Sequence, residues 1–431
     1  MSPYKQAAQE EGPMRIVTAS ISAFLASLCA LPAHGTIIAS YEIIPGSFSA
    51  NDMSPDGRFI VGDTDLNGDF VADGTYIYDT VTEVVTLLPP EGSRATAVSD
   101  DGTVILGDMP DPKSPDPMIG ETAAIWTAST GWQSLGYLPN ALDCPSRSNG
   151  YELSADGTVA TGLSWNGCSG RGFRWTQATG MQELQFIGLG GNRASVLSAD
   201  GNLIGGFAQG TSSRTPAIWN GLLTGETLDP TAAARGEVMG INDAGTIMLG
   251  TWATTESENR AVKWTFTMSG WQREILGTGS MQNLWVGIPM DISDQGTIVG
   301  FDFRLGNRVA WLLEGGVPPY LDLKTYVNAH GGAIPPADTL PVCQAISANG
   351  RRIIGHGGSR AWIVTLELLG DMNCDGVVDT DDIEPFTQAL LDPAGYESAF
   401  PLCTLARANM NQDAGVDSLD IQGFVTDLLG P

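Results

Sequence analysis

Oxygen-bearing side chains recur at metal-ligand spacing between Asp371 and Pro431. The first segment places acidic or amide side chains at positions 1, 3, 5, 9 and 12 of a loop, with Gly376 at position 6. Alternating oxygens around a glycine at the sharp turn can wrap a hard cation such as Ca²⁺, and a backbone carbonyl supplies position 7. The predicted calcium ligands of this loop, called loop one, are Asp371, Asn373, Asp375, the Val377 carbonyl, Asp379 and Asp382.

The pattern returns 38 residues later in a second segment, called loop two. Loop two is a weaker copy, because an amide stands at position 1, Ala414 stands at position 6, and the glycine has moved to position 7. Three carboxylates instead of four predict a lower calcium affinity than in loop one. The predicted ligands of loop two are Asn409, Asn411, Asp413, the Gly415 carbonyl, Asp417 and Asp420.

A third acidic segment lies near the start of the chain, after a predicted strand. Four oxygen-bearing side chains alternate around Gly68, but the last acidic residue stands at position 11 rather than 12. A calcium-stiffened loop and a solvated acidic turn fit this pattern equally well. The candidate ligands are Asp63, Asp65, Asn67, Asp69 and Asp73.

Each of the first two loops runs directly into an apolar-periodic segment. The apolar residues recur at i, i+3, i+7 and i+8, which is the stripe of a short amphipathic helix. They are Ile383, Phe386, Leu390 and Leu391 after loop one, and Ile421, Phe424, Leu428 and Leu429 after loop two. The sequence therefore predicts a duplicated unit of one calcium loop and one helix.

This duplicated unit, with Asp rather than Glu at position 12, resembles a type I dockerin module over residues 369–431. The resemblance implies a small α-helical calcium-binding domain that docks a cohesin-like or cell-surface protein partner. Cellulosomal dockerins usually carry a Ser-Thr-like recognition pair at loop positions 10 and 11. The chain departs from that pattern, because its pairs are Thr380–Asp381 and Ser418–Leu419.

A repeated turn phrase fills residues 36–368 and predicts their fold. Asp-Gly or Asn-Gly steps lie between an apolar stretch and a β-branched run, as in a hairpin whose glycine takes a positive φ. Each unit continues with two more strands, and four strands in 44 to 55 residues is the period of a propeller blade. The turns begin at Ser54, Ser99, Ser154, Ser198, Asn242, Ser293 and Ser347.

The strand count predicts a closed ring of seven blades, favoured over six or eight. The seventh unit has only three strands, and the segment from Thr36 to Ile44 is a strand without a blade of its own. Lent to the seventh blade, this strand would close the ring and remove its open edge.

Two repeated residue types in these units are expected to be structural. The turn aspartates should cap their own turns. One aromatic residue at the centre of each third strand should pack between sheets rather than form a ligand cage. These aromatic residues are Tyr78, Trp126, Trp175, Trp219, Trp264, Trp311 and Trp362.

The repeats are similar to the HAF-type extracellular repeat of secreted bacterial proteins, a resemblance that implies a fold and a location rather than a reaction. The expected fold class is all-β, a seven-bladed β-propeller with its N-terminal strand closing the last blade, followed by the small helical module. Glycine supplies 54 of 431 residues and helix-period segments are scarce before residue 380, which favours this class.

The N-terminal region, residues 1–35, has the features of an export signal. Arg15 precedes an apolar run from Ile16 to Leu31, and Ala33 and Gly35 are small residues suited to cleavage. The run is shorter than the roughly 20 apolar residues of a membrane span, so no transmembrane segment is expected in the mature chain. Met14 is an alternative start of the chain. The signal features predict that the protein is secreted or held at the cell surface.

The formal net charge of −28 arises from 21 Lys and Arg against 49 Asp and Glu. Such an acidic field repels phosphate groups. Nucleic acid and anionic membrane surfaces are therefore poor partner candidates, and no nucleic-acid partner is expected.

Five cysteines follow the signal region, and an oxidising location predicts that they pair. The predicted bridges are Cys144–Cys168 within one repeat and Cys374–Cys403 around loop one, which leaves Cys343 buried and single. A structural zinc site is the weaker alternative, because neither remaining histidine has ligand spacing with a cysteine pair.

The sequence holds no nucleophile motif, no zinc-protease motif and no phosphate loop. The predicted function is therefore interaction: a calcium-binding module docks a propeller that presents a binding surface, with a glycan among the expected ligands. The alternative is a polysaccharide-active enzyme, a glycoside hydrolase or lyase on a propeller scaffold. The 49 acidic residues always permit a carboxylate pair, but no pair stands out.

Overall fold

Seven antiparallel four-stranded sheets form the body of the protein, and they form a seven-bladed β-propeller. The structure is a computed structural model. It describes residues 36–69, 72–111, 113, 120–139, 146–166, 169–210, 213–221, 224–228, 235–253, 260–276, 287–304, 307–317, 319–413 and 415–429. The predicted signal region and the predicted Cys144–Cys168 bridge lie outside these residues.

Each blade follows the chain from its innermost to its outermost strand. Blade one contains β2 (Asp52–Met53), β3 (Phe59–Thr64), β4 (Gly74–Asp79) and β5 (Val84–Leu87). Blade two contains β6 (Arg94–Val98), β7 (Val104–Pro110), β8 (Glu121–Thr127) and β9 (Gly131–Gly136). Blade three contains β10 (Ser148–Leu153), β11 (Val159–Asn166), β12 (Ser169–Thr176) and β13 (Gly180–Glu183). Blade four contains β14 (Asn192–Leu197), β15 (Leu203–Gln209), β16 (Arg214–Asn220) and β17 (Gly225–Thr227). Blade five contains β18 (Arg235–Ile241), β19 (Ile247–Ala253), β20 (Arg260–Thr267) and β21 (Gly270–Ile275). Blade six contains β22 (Ile288–Ile292), β23 (Ile298–Arg304), β24 (Asn307–Leu313) and β25 (Leu321–Asp322).

Blade seven confirms the predicted closure. Its inner strands are β26 (Val342–Ile346), β27 (Arg352–His356) and β28 (Ala361–Leu368), and its outermost strand is the N-terminal β1 (Ile37–Ile43). The strands β1 and β28 pair antiparallel along their length, from Ile37 opposite Leu368 to Ile43 opposite Trp362. The first strand of the propeller therefore completes its last blade.

The repeated turns connect the first two strands of each blade, as their composition predicts. In the first turn the Asp56 carboxylate accepts hydrogen bonds from the Ser54 hydroxyl (2.6 Å) and the Arg58 amide (2.9 Å), so the aspartate caps its own turn. The fourth residue, Gly57, has φ of +79°, which lies in the left-handed region that favours glycine. We call the end of the propeller that carries these turns the turn face, and the opposite end the loop face.

A second glycine explains why the two inner strands of a blade pack so closely. A Cβ on Gly206 in β15 would lie 1.9 Å from the Arg193 carbonyl oxygen in β14. All seven blades have a glycine at this place, with the inner-strand carbonyl 1.9 to 2.2 Å from the would-be Cβ. Only a residue without a Cβ permits this approach.

The third-strand aromatic residues pack in the core in most blades, which confirms their predicted structural role. Tyr78, Trp219, Trp264, Trp311 and Trp362 are at most 4% exposed, whereas those of blades two and three are half-buried. Each fills the space between neighbouring sheets, where a large flat side chain buries the most apolar area.

Short helices account for the rest of the described chain. A helix that the strand pattern did not predict, α1 (Leu323–Ala329), links blades six and seven, and the Asp322 carboxylate caps it by accepting a hydrogen bond from the Thr325 amide at 2.9 Å. Three helices follow the propeller: α2 (Ile383–Leu391), α3 (Pro393–Ala399) and α4 (Ile421–Leu429). One-turn 3₁₀ helices lie at Glu314–Gly316, Thr380–Asp382 and Leu405–Ala408.

The C-terminal helices share a small core with the end of the propeller. The rings of Phe386 in α2 and Phe424 in α4 stack 4.0 Å apart, and Tyr396 and Met372 are fully buried beside them. The predicted Cys374–Cys403 bridge is present, and Cys343 is buried and free, as expected.

Candidate functional site

Loop one folds around the side chain at its last position. The Asp382 carboxylate accepts hydrogen bonds from the amides of Met372 (2.6 Å), Asn373 (3.0 Å) and Asp379 (2.8 Å), so it is drawn into the centre of the loop. Position 4, Cys374, and position 6, Gly376, both have positive φ, and these two residues make the sharp turn. The sequence-predicted ligands of loop one therefore lie along one continuous turn.

The first position of loop one, Asp371, is fully buried and only partly satisfied. Its Oδ2 accepts hydrogen bonds from Arg407 (2.7 Å) and from the Gly376 amide (3.2 Å), whereas its Oδ1 is buried without a hydrogen-bond partner. Burial raises the pKa of Asp371 to about 6, although Arg407 and Arg351 counteract this. A buried carboxylate oxygen without a partner is costly unless a cation reaches it.

Loop two repeats the hydrogen bonds of loop one at equivalent positions. The Asp420 carboxylate accepts from the amides of Asn411 (3.0 Å) and Asp417 (2.8 Å), as Asp382 does in loop one. Position 4, Gln412, again has a positive φ. At position 1 the Asn409 amide group both accepts from and donates to the backbone of Asp413, so it is satisfied within the loop.

The donor sets of the two loops consist of oxygens that suit Ca²⁺. As the side chains stand, no three His, Cys, Asp or Glu side chains in the described part of the chain are gathered closely enough to hold a metal ion. The donors of loop one also include the Asn373 side chain and the Val377 carbonyl. The residues fit calcium by type, by turn geometry and by the unsatisfied Asp371 Oδ1.

The third candidate loop is arranged differently. Asp63 lies in β3, where its carboxylate accepts hydrogen bonds from Ser49 (3.0 Å), Asn51 (2.9 Å) and the Ala95 amide (3.1 Å), and so joins blades one and two. Asp65, Asn67 and Asp73 each accept hydrogen bonds from backbone amides of their own turn. The structure thus separates the role of Asp63 from that of the other four residues.

Loop one also lies against the turn face of the propeller. The Gln295 and Asn349 side chains, in the turns of blades six and seven, donate hydrogen bonds to the carbonyls of Asp375 (3.0 Å) and Cys374 (2.8 Å). Arg351 donates to the Gly376 carbonyl at 2.6 Å. The buried Arg407 bonds both Asp371 and Glu367 of β28, so the loop and the last propeller strand share one cation.

Apolar side chains remain exposed on the two loop-following helices. Ile383 and Ile421 are 45% and 44% exposed, and the equivalent pair Leu391 and Leu429 is 81% and 77% exposed. Of the predicted apolar stripes, Phe386 and Phe424 enter the core, but these four residues do not. A duplicated exposed apolar pair is typical of a contact surface.

A central channel of about 400 Å³ was not predicted from the sequence. In blades two to seven the inner strand has a β-bulge, and in blades three to seven the residues three and two before each turn both face inward, against the usual alternation. Two rings line the channel. The carboxylate ring, two residues before the turns, comprises Asp52, Glu152, Val196, Gly240, Asp291 and Ala345; the arginine ring, five residues before the turns, comprises Arg94, Arg193 and Glu237.

The carboxylate ring holds three acidic groups whose charges repel one another. Burial, together with the charges of Asp52 and Asp243, raises the pKa of Asp291 to about 7. Burial also raises the pKa values of Asp52 and Glu152, which lie close enough to influence each other. Asp52 and Asp291 therefore change charge near pH 7 rather than in acid.

The arginine ring lies toward the loop face. Arg193 and Arg214 both bond the buried Glu237 carboxylate, Arg214 at 3.1 Å, and the Ser195 hydroxyl donates to it at 2.6 Å. The Arg193 guanidinium also lies 5.5 Å from the centroid of the Tyr151 ring in the channel wall. Two guanidinium groups share one carboxylate, so this cluster of three side chains carries a net positive charge.

No family model matches the chain, and no curated protein matches it. Among solved structures, oligogalacturonate lyase from Vibrio parahaemolyticus aligns with a TM-score of 0.50 at 13% identity, covering 77% of this chain and 98% of the lyase. The β-propeller domain of the Trilobed protease from Pyrococcus furiosus aligns at 0.46 with 9% identity over 75% of this chain and 95% of that domain. A TolB-like protein from Agrobacterium tumefaciens aligns at 0.40 with 13% identity over 56% of this chain and 90% of that protein. At these identities the likeness concerns the fold.

Within the described residues, no helix is both long and apolar enough to cross a membrane.

Proposed function

We propose that the protein is a secreted, calcium-binding interaction protein, in which a dockerin-like C-terminal module attaches the propeller to a partner. The observation that carries this proposal is the duplication of one loop geometry: Asp382 and Asp420 accept equivalent backbone hydrogen bonds in two loops of the same spacing. The partner is a cohesin-like protein or a cell-surface scaffold, and the propeller presents the ligand-binding surface.

Calcium binds loop one more tightly than loop two. In loop one it takes up the buried Asp371 Oδ1 that otherwise has no partner. In loop two Asn409 contributes an uncharged oxygen, and its amide group already bonds the Asp413 backbone. Fewer ionised ligands lower the affinity for a hard cation.

The docking surface is formed by the exposed apolar pairs of α2 and α4, Ile383 with Ile421 and Leu391 with Leu429. Burying these side chains against a partner removes apolar area from water, which contributes about 25 cal/mol per Å². The calcium loops hold the two helices in the arrangement that presents the pairs together.

Chelation tests the calcium part of the proposal. Thermal unfolding with and without EDTA should show loss of the C-terminal module and retention of most of the propeller. The matched variant pair is Asp382→Asn and Asp420→Asn, with a larger loss of calcium affinity expected for the first. Identical unfolding curves with and without EDTA would refute calcium binding.

Capture of exported proteins from the source organism, with and without calcium, tests docking. The expected result is a calcium-dependent partner that is lost in the double variant Leu391→Ser, Leu429→Ser. A partner that binds equally well to this variant would show that the apolar pairs are not the docking surface.

A polysaccharide-active enzyme is the second candidate function, and the channel carboxylates favour it. Glycoside cleavage needs one carboxyl group that stays protonated near neutral pH, and burial raises the pKa of Asp291 to about 7. Turnover on a panel of polysaccharides, abolished by Asp291→Asn but retained after chelation, would establish this function in place of simple binding.

A further inference from the structure

We propose that the central channel binds a small sugar acid, a hydroxylated molecule with a single carboxylate, whose carboxylate lies between Arg94 and Arg193 and whose hydroxyl end points toward the carboxylate ring. The proposal concerns the propeller alone and does not require the calcium module. It rests on three features of the channel, which are its charged ends, their separation and its open side.

The arginine end of the channel carries more guanidinium groups than ion-paired carboxylates. Arg94 is exposed at the channel wall and forms no ion pair with any described residue. Burial raises the pKa of the neighbouring Asp108 carboxyl to about 7 although the charge of Arg94 lowers it, so Asp108 is only partly ionised near neutral pH. Arg193 shares the single Glu237 carboxylate with Arg214. A planar guanidinium binds a carboxylate through two parallel hydrogen bonds, so these arginines suit that group.

The two arginines flank one position in the channel wall. Tyr151 is the bulge residue of blade three, between Arg94 of blade two and Arg193 of blade four. Burial and the charge of Asp108 raise the pKa of its phenol, and the charges of Arg193 and Arg94 lower it. The Arg193 guanidinium faces the Tyr151 ring at 5.5 Å. A carboxylate beside Tyr151 therefore meets positive charge from both neighbouring blades.

The opposite ring determines what the far end of the ligand can be. Asp52, Glu152 and Asp291 line the channel three residues further along their strands. Because the bulge lies within this stretch, those three residues span two residues of the neighbouring strand, which corresponds to about 7 Å between the two rings of Cα atoms. Their side chains accept hydrogen bonds from hydroxyl groups but repel a second carboxylate. Since the long arginine and glutamate side chains narrow this gap, one hexose-sized molecule can span it.

The ligand enters from the loop face. Loop one and the C-terminal helices pack against the turn face near Gln295, Asn349 and Arg351. The arginine ring lies at the other end of the same channel, so docking of the module leaves the cationic mouth free.

Calorimetric titration of the full mature chain, in constant calcium, with three matched probes tests the proposal. Glucose has no carboxylate, glucuronate has one, and glucarate has one at each end. Glucuronate should bind at least about tenfold more tightly than either of the others, because only glucuronate matches both rings. Equal affinity for glucose and glucuronate, or no binding of glucuronate, would overturn the proposal.

Paired variants then locate the site. Arg94→Gln should weaken glucuronate binding at least about tenfold, whereas Arg360→Gln, a loop-face arginine paired with Asp338 at 3.1 Å outside the channel, should leave it unchanged. Asp291→Asn should improve binding of glucarate relative to glucuronate. An equal effect of the two arginine variants would place the site elsewhere. These outcomes are independent of chelation, so they are distinguishable from failure of the calcium proposal.

Discussion

Replacing Asp291 by asparagine should stabilise the propeller at pH 8 and much less at pH 4.5. The folded-state pKa of Asp291 is raised from 3.8 to about 7. A carboxyl group whose pKa is raised on folding binds its proton more tightly in the native state than in the unfolded state. Its contribution to the stability of the fold is therefore fully present below pH 4 and is lost as the pH rises to 7. Asparagine removes the charge but keeps a side-chain oxygen. This oxygen can still accept the hydrogen bond that the Ile346 amide donates to Asp291 at 2.8 Å.

The magnitude follows from the size of the pKa shift. Three pH units at 1.36 kcal/mol each correspond to at most about 4 kcal/mol of destabilisation above pH 7, and to about 1 kcal/mol at pH 4.5. Because Asp291 is half-buried and faces a channel that water can enter, we expect the gain from Asp291→Asn at pH 8 to be about 2–4 kcal/mol.

Urea unfolding followed by tryptophan fluorescence at the two pH values, in constant calcium, measures the difference between variant and parent. The matched control is Asp156→Asn, because hydrogen bonds within its turn lower the pKa of Asp156. That variant should destabilise the protein, and because both pH values lie above the unfolded pKa of Asp156, its cost should be nearly the same at pH 4.5 and pH 8. A pH-independent effect of Asp291→Asn would refute the reasoning.

Two further predictions concern the packing of the blades and the C-terminal bridge. Gly206→Ala should lower the unfolding free energy by about 2–3 kcal/mol, because the new Cβ would lie 1.9 Å from the Arg193 carbonyl. The control Gly131→Ala, with positive φ and nothing within 4 Å, should cost only about 1 kcal/mol in the same urea assay, and equal costs would contradict the steric explanation. Removing the Cys374–Cys403 bridge, which closes a separation of 29 residues, by a double Cys→Ser change should destabilise the C-terminal helices by about 3–4 kcal/mol. Limited proteolysis should then cut this region first, and an unchanged cleavage pattern would show that the core around Phe386 is sufficient.

The blade count was predictable because each blade contains a turn that can be recognised from its local sequence. A turn such as Ser54–Gly57 needs only its own residues to form, so it is visible in the sequence wherever it occurs. Ring closure by β1 was predictable from the number of strands. The N-terminal strand belonged to no blade and the seventh blade lacked one strand, so the two were expected to pair. The Cys374–Cys403 bridge was predictable for a similar reason, because both cysteines lie close to repeated loops.

The channel was not predictable from alternation, because the bulge breaks it. With Tyr151 and Glu152 both facing inward, two successive residues line one surface, and a period-2 pattern assigns one of them outward. A signal was nevertheless available. Aligning the seven units on their turns places Asp52, Glu152 and Asp291 in one column.

The contacts of the C-terminal helices with the propeller depend on pairs far apart in the chain. Gln295 and Asp375 are 80 residues apart, and neither residue type in its own segment indicates the other. Helix α1 was missed because its seven residues, Leu323–Ala329, are too few to show a helical period.

The closing strand has a mechanical consequence. A load applied to a docked C-terminal module reaches the propeller through β28, which bears Glu367 and lies between β1 and β27 in blade seven. Pulled along its length, β28 must slide past both neighbours, so their hydrogen bonds resist together in shear instead of opening one at a time. A ring fastened in this way therefore resists most firmly a pull directed along β28.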